Sequence, residues 1–533
     1  MDRRRAALRA ARAAAVLLPA GFLALFFAYP FAAILERGLT QDGGLHLPLD
    51  LLTSSSTRDV VWFTLWQAAL STALTLLLGL PLAWVVARFR FRGRSFVRAL
   101  VLVPFVLPTV VVASAFLALL PEEFERGVAV ILAAHVFFNI AVVVRVVSAW
   151  WGRLDPGLWD AAATLGAGPA ARLRAVTLPL LGPALAASAA LVFLFCFTSF
   201  GVVLILGGPG YATLETEIYN QAARLFDLRA AAALSLLQLA AIGVVLAVAG
   251  VLERRSGAVA PVAPERELLR RPRGRERVAL AGVLGLSGLG LGLPVAALVE
   301  RSLATPDGYG LGFYRQLGEE TPALLVPPWH SVLNSLAFAA AATLVALVVG
   351  GLVAVAAARR RAGWLDALAM LPLGVSAVML GFGFVIAFDE PPLDFRGSPW
   401  LVPVAQALVA APFVVRILAP ALRSIDERLR DAATVLGASP ARVWREVDLP
   451  LVLRSLGVAA GFAFAVALGE FGATVFVARS DWPTVPVAIV RFLGRPGAVN
   501  AGQAAALSVV LMALAVAAVL AVDRVSAVRR RVL

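Results

Sequence analysis

DAAATLGAGP occupies residues 160–169, and DAATVLGASP occupies residues 431–440, 271 positions later. Aligned without gaps, 154–180 and 425–451 agree at fifteen of 27 positions. The shared residues include Asp, Gly and Pro in fixed phase, which chance similarity between Ala- and Leu-rich segments does not produce. The match extends outward. Gly79 falls on Gly350, Arg88 on Arg359, Arg145 on Arg416, Phe200-Gly201 on Phe471-Gly472 and Thr213 on Thr484. The chain is an internal duplication. ERRSGAVAPVAPERELLRRPRGRER, residues 253–277, is rich in Pro and Arg and lacks apolar periodicity. It reads as a linker between a first half, 1–252, and a second half, 278–533.

The residues around the repeat set the fold class. The chain is 60% hydrophobic, with a mean hydropathy of +0.87, above the soluble norm. Uncharged runs at 13–35, 60–87 and 99–120 exceed the roughly 20 residues a helix needs to cross a bilayer. Twelve spans are expected, at about 13–35, 60–87, 97–120, 127–150, 183–207 and 230–252, then 278–300, 331–358, 364–388, 400–422, 454–478 and 503–523. The N-terminal apolar run is too long for a cleaved signal peptide and reads as an uncleaved first helix. The expected fold is an all-α polytopic membrane protein with two repeats of about six transmembrane helices. Each half has an even span count, so the repeats are parallel, about an axis near the membrane normal.

The chain has no lysine, so all 47 basic residues are arginine. They cluster in short loops beside apolar spans, at Arg3–Arg12, Arg88–Arg98, Arg254–Arg277, Arg359–Arg361 and Arg524–Arg531. That placement follows the positive-inside rule and puts both termini in the cytoplasm. It argues against nucleic acid as a partner. The opposite side carries PEEFER at 121–126 and FDEPPLDFR at 388–396. One loop departs from the rule: 479–498 should lie outside, yet carries Arg479, Arg491 and Arg495 against Asp481.

Each repeated loop lies on the arginine-rich side, between the fourth and fifth span of its half. Residues 155–165 favour a short helix, which Gly166 can end in a left-handed conformation. Pro169 then restarts the chain at a first helical position. In the second copy Ser439 can cap the helix that begins at Pro440. The small residues Ala161, Ala162, Ala432 and Ala433 let another backbone approach closely. Two such hairpins on one face suit two copies of one partner.

DAAxxLGAxPxxxxxxVxLP resembles the EAA loop of ATP-binding-cassette importer permeases, with Asp in place of Glu. The resemblance covers nearly the whole chain, and fusion of two permease domains is similar to ferric-iron and thiamine permeases and some for phosphonates. It implies a type I importer fold and a permease subunit of the inner membrane. It further implies two cytoplasmic ABC ATPase subunits and an extracytoplasmic solute-binding protein as partners. The coupling residues it implies are Asp160, Ala161, Ala162 and Gly166, with Asp431, Ala432, Ala433 and Gly437. FTSFGVVLILGGPGYATLETEIYNQA at 197–222 looks like thiamine permeases, whereas LGEFGATVFVA at 468–478 looks like ferric-iron and oxyanion permeases. The solute stays open between them.

The chemistry left to this chain is sparse. A P-loop needs a lysine at the phosphates, so ATP and its Mg must be used by the partner ATPase, and no cofactor is expected here. His46, His135 and His330 are scattered, and a shared metal site is not expected. Cys196 is the lone cysteine, which excludes an intrachain disulfide. Arg145 and Arg416 either snorkel to the interface or pair with Asp155 and Asp426. Glu470 lies about 16 residues into the eleventh span, or roughly 24 Å at helical rise. Either it lines a central path or gate with Thr198, Ser199, Phe200 and Phe471, or it reaches the outer interface and is solvated. The alternative function is a twelve-helix transporter driven by an ion gradient. It would need mid-membrane ionisable groups and leaves the repeated loop unexplained. A membrane enzyme would need clustered His, Asp or Glu, which the sequence lacks.

Overall fold

Long apolar segments satisfy their backbone groups internally as helices, because lipid supplies no hydrogen-bond partner. The computed structural model describes residues 15–41, 44–45, 48–124, 126–208, 210–255, 269–358 and 363–528. The N-terminal arginines to Arg12, His46, Arg359–Arg361, most of the linker and Arg529–Arg531 lie outside the described residues.

The first half runs α1 Ala15–Leu39, α2 Ser55–Arg88, α3 Arg94–Val106, α4 Thr109–Leu119 and α5 Val128–Trp151. It continues with α6 Pro156–Thr164, α7 Pro169–Phe197, α8 Gly201–Leu206, α9 Leu214–Tyr219 and α10 Leu228–Arg255. The second half runs α11 Arg275–Leu303, α12 Gly312–Gln316, α13 Pro328–Ala358, α14 Gly363–Gly374, α15 Ala377–Ala387 and α16 Leu401–Arg423. It closes with α17 Glu427–Val435, α18 Pro440–Gly469, α19 Thr474–Val477, α20 Val485–Leu493 and α21 Ala498–Val528. A two-residue antiparallel ribbon follows α1, pairing Thr40 with Leu45 and Gln41 with Gly44.

Ten helices are long and apolar enough to cross a membrane among the described residues. The other two expected spans are broken helices. Within the expected 97–120 span, α3 and α4 meet at 103°. Pro108 forces its predecessor into extended backbone, and Leu107 has φ −66° and ψ 135°. Within 364–388 the break falls at Ser376, whose hydroxyl accepts from Val378 N at 3.1 Å and so starts α15. Spans five and eleven were expected to reach 207 and 478, but α7 stops at Phe197 and α18 at Gly469.

The chain divides into two compact units that differ from the halves of the duplication. One comprises Met1–Pro48, Ile218–Leu236 and Thr305–Leu533; the other comprises Leu49–Glu217 and Leu237–Ala304. In the first of these, α1 packs on α15: a Cβ at Gly383 would meet Pro30 Cβ at 3.1 Å and Ile34 Cδ1 at 3.2 Å. In the other, α11 packs on α4 and, less extensively, on α2 and α3. The opening helix of each half therefore packs with residues of the opposite half.

Within each unit the duplication holds at the level of single contacts. α5 and α16 are the most buried spans, packed on α2 and α13. At Gly79 a Cβ would meet Val143 Cγ1 at 2.9 Å, and at Gly350 it would meet Val414 Cβ at 2.9 Å. Thr64 Oγ1 accepts from Leu214 N at 3.0 Å, and Ser335 Oγ accepts from Val485 N at 2.8 Å. These bonds fix the starts of α9 and α20.

Candidate functional site

The repeated loops form two helical hairpins with matching caps and turns. Asp155 caps α6 by accepting from Gly157 N at 2.8 Å, and Asp426 caps α17 by accepting from Arg428 N at 3.0 Å. Each helix ends in a left-handed glycine, with φ 81° at Gly166 and 82° at Gly437. The next amide reaches back five residues, Ala167 N to Ala162 O and Ala438 N to Ala433 O, both at 3.0 Å. This double closure is a Schellman end, which glycine permits and a side chain resists. Ser439 caps the restart by accepting from Arg442 N at 3.4 Å. A π-helical turn follows in each copy, at Leu173–Thr177 and Trp444–Asp448.

The hairpin surfaces are open. Asp160, Ala161, Gly166, Asp431, Ala432 and Gly437 are exposed, and Ala162 and Ala433 are half-buried. Leu165 and Leu436, at equivalent positions, are each 87% exposed. Two large apolar side chains presented this way, beside polar caps, suit a protein partner.

The two hairpins are braced by different chemistry, with Trp159 and Arg430 at equivalent positions. In the first, the Arg172 guanidinium lies over the Trp159 ring at 4.8 Å. In the second, Arg430 Nε donates to Asp448 Oδ1 at 2.7 Å, and Asp448 is 1% exposed. The first hairpin also faces the end of the linker. Arg270 N donates to Arg88 O at 3.1 Å, and Arg90 N donates to Arg270 O at 2.9 Å. The charged form of Arg270 is favoured first by its hydrogen bonds to Glu276 and also by the Asp160 carboxylate.

The remaining expected site residues follow α7 in one unit and α18 in the other. Phe200 and Phe471 are 6% and 3% exposed. Thr198 Oγ1 donates to Leu194 O at 2.9 Å. Glu470 is 7% exposed. Its carboxylate accepts from Ala473 N at 2.7 Å, from Thr474 N at 3.0 Å and from the Thr474 hydroxyl. Ser199 is bonded to His135 Nε2 at 2.9 Å, and His135 Nδ1 to Ser71 Oγ at 3.0 Å.

Arg145 and Arg416 are exposed, and neither pairs with Asp155 or Asp426, whose carboxylates serve as caps. Among the described residues no group of three His, Cys, Asp or Glu side chains could hold a metal ion. The loop that broke the charge rule folds around α20, and Arg479 Nε donates to Asp481 Oδ1 at 3.0 Å. Sequence reasoning missed two buried polar groupings. One is the Ser71–His135–Ser199 series. The other is Glu215, 1% exposed, which accepts from Gln238 Nε2 at 2.6 Å. A hint was present in the four-residue spacing of Gln67, Ser71 and Thr75, which stacks them on one face of α2.

Comparison with known proteins matches both halves to one family. The profile described as "binding-protein-dependent transport system inner membrane component" covers residues 79–257 and 342–530. The thiamine transport system permease protein ThiP of Brucella abortus (strain 2308) is 32% identical, with 96% of each chain covered. ThiP of Escherichia coli (strain K12) is 28% identical, covering 83% of this chain and 85% of its own. A probable ABC transporter permease protein, y4fN of Sinorhizobium fredii (strain NBRC 101917 / NGR234), is 29% identical with 94% of each covered.

Proposed function

The chain belongs to the family of binding-protein-dependent inner-membrane transport components, and from that premise we propose that it is the fused permease of a thiamine importer driven by two cytoplasmic ATPase subunits. Membership of the family makes it a multi-pass permease subunit of an ABC importer, with hydrolysis carried out by a separate ATPase. The observation that carries the finer reading is the pair of matched hairpins, each with an Asp cap, a left-handed glycine and a presented leucine. Two equivalent docks call for two ATPase copies. Both then lie on the cytoplasmic side, where the arginine-rich loops place them, and both termini lie there too.

Thiamine is favoured over ferric iron because ThiP, which covers 96% of this chain, is named a thiamine transport permease. A binding protein outside delivers the solute. ATP-driven closure of the ATPase pair draws the hairpins together, and rigid-body rocking of the helices exposes the path alternately to each side. Thr198, Ser199 and Phe200, and Glu470 and Phe471, are assigned to the path or gate, because α7 and α18 each end immediately before them. ATP and Mg act in the ATPase, and this chain contributes no cofactor of its own. The ion-gradient alternative is set aside, since the family is one of binding-protein-dependent transporters. Co-purification tests the reading. The ATPase should remain bound to the wild-type chain and be lost when both 156–169 and 427–440 are replaced by Gly/Ser loops; retention after that replacement refutes the dock.

A further inference from the structure

The first half contains a buried polar series that the duplicated fold does not require. Ser71 of α2, His135 of α5 and Ser199 beyond α7 are bonded in sequence. Beside them Gln67 Nε2 donates to Cys196 O at 3.0 Å, and Asn139 Nδ2 donates to His135 O at 3.0 Å and Cys196 Sγ at 3.4 Å. Gln67, Ser71, His135, Asn139 and Cys196 are all no more than 2% exposed. The equivalent positions in the second half hold Phe338, Ala342, Gln406, Ala410 and Ala467, with Glu470 in place of Ser199. That half builds the same helices with a largely apolar set. Nor is the series tuned for stability: Gln67 Oε1 and Asn139 Oδ1 are buried without a donor, which opposes folding.

Its position suggests what it does. α5 leads into the first hairpin and α7 leads out of it. Near the hairpin, Trp150 Nε1 donates to Leu180 O at 3.0 Å. At the far end the same two helices are joined again, through His135 to Ser199 and through Asn139 to Cys196. His135 precedes Trp151 by 16 residues, roughly 24 Å along the helix. Joined at both ends, α5 and α7 move as one lever, with the break at Thr198–Phe200 as its tip. In the second half Glu470 bonds to amides and a hydroxyl just ahead of it in its own segment.

We propose that His135 is a positioning residue for transport: it ties the break after α7 to the helix that bears the first hairpin, so hairpin displacement reaches that break directly. The proposal rests on the hairpins being the ATPase docks. The first break then responds to its hairpin through the His135–Ser199 bond.

Two readouts test it on the full chain in lipid nanodiscs and proteoliposomes. Amide hydrogen exchange reports the tether without the ATPase. Ser199→Ala, which removes one hydroxyl, and His135→Met should speed exchange at 198–204 by about fivefold or more, with 470–477 unchanged. Thiamine moved per ATP hydrolysed, with ATPase and binding protein present, should fall by a comparable factor while ATPase binding holds. His135→Gln, the residue carried at the equivalent position, should recover at least about half of it, because an amide still offers a donor and an acceptor. Unchanged exchange in Ser199→Ala overturns the proposal. So does faster exchange with no change in thiamine per ATP. Failure of the ATPase to bind wild-type chain would refute the docking reading and, with it, the transport role, while exchange would still show whether His135 holds the break.

Discussion

Replacing Gly166 and Gly437 with alanine isolates the backbone contribution to docking. Both residues sit at φ near +80°, and a Cβ built on either meets nothing within 4 Å. Alanine therefore clashes with no neighbour, and its whole cost is the left-handed conformation, about 1–2 kcal/mol. That corresponds to a factor of roughly 5–30 in the population of the closed hairpin. A partner that binds only the closed hairpin loses apparent affinity by the same factor. On the proposal that both hairpins grip one linked ATPase pair, the double variant should lose on the order of 100-fold. Asparagine visits the left-handed region more readily than alanine, so Gly166→Asn and Gly437→Asn should regain most of the loss. The assay is titration of labelled ATPase onto the chain in nanodiscs. Wild-type affinity in the double alanine variant, or equal losses for alanine and asparagine, would refute the claim that these turns shape the dock.

Other expected outcomes follow from the same contacts. Leu165→Ser and Leu436→Ser should leave thermal stability unchanged, since both leucines are exposed, yet each should weaken ATPase binding by roughly 1.5–3 kcal/mol if the side chain is buried on docking. Gly350→Ala should destabilise by roughly 1–3 kcal/mol, because its Cβ would meet the Ala411 carbonyl at 2.8 Å; thermal unfolding should show a smaller loss for Gly79→Ala, where the obstacle is the Val143 side chain. Arg430→Ala should lower stability by at least about 2 kcal/mol, because it removes a bonded cation from a buried carboxylate, whereas Arg172→Ala should cost about 0.5–1 kcal/mol. Arg479 holds the Asp481 carboxyl below its ordinary range. The contribution of that pair is complete above the usual carboxylate value and is lost as pH falls through the lowered one, so the stability curves of wild type and Arg479→Ala should run parallel between about pH 5 and 8 and converge only below about pH 4.

Much of the architecture was legible because apolar length and arginine placement are one-dimensional signals. The spans and the duplication follow from them, and the hairpins do too, since caps and turns are written in adjacent residues such as Asp155, Gly166 and Pro169. What hydropathy hides is a change of direction inside an apolar run. Leu107-Pro108 and Ser376 break two expected spans, although both lie in segments as apolar as any intact helix. Packing between distant segments is hidden as well. Nothing in the repeat shows that α1 packs on α15, or α11 on α4. Glu470 shows what depth along a helix leaves out: its carboxylate accepts from the Ala473 and Thr474 amides, a local cap that span position does not reveal. His135 was visible only as a stray histidine, because its partners lie 64 residues away on either side.

The most direct test of the account is thiamine uptake by proteoliposomes that hold this chain and its ATPase, with binding protein outside and ATP inside. The account predicts accumulation against a gradient that stops when the ATPase is omitted or both hairpins are replaced. Accumulation by the chain alone, driven by an imposed ion gradient, would contradict it.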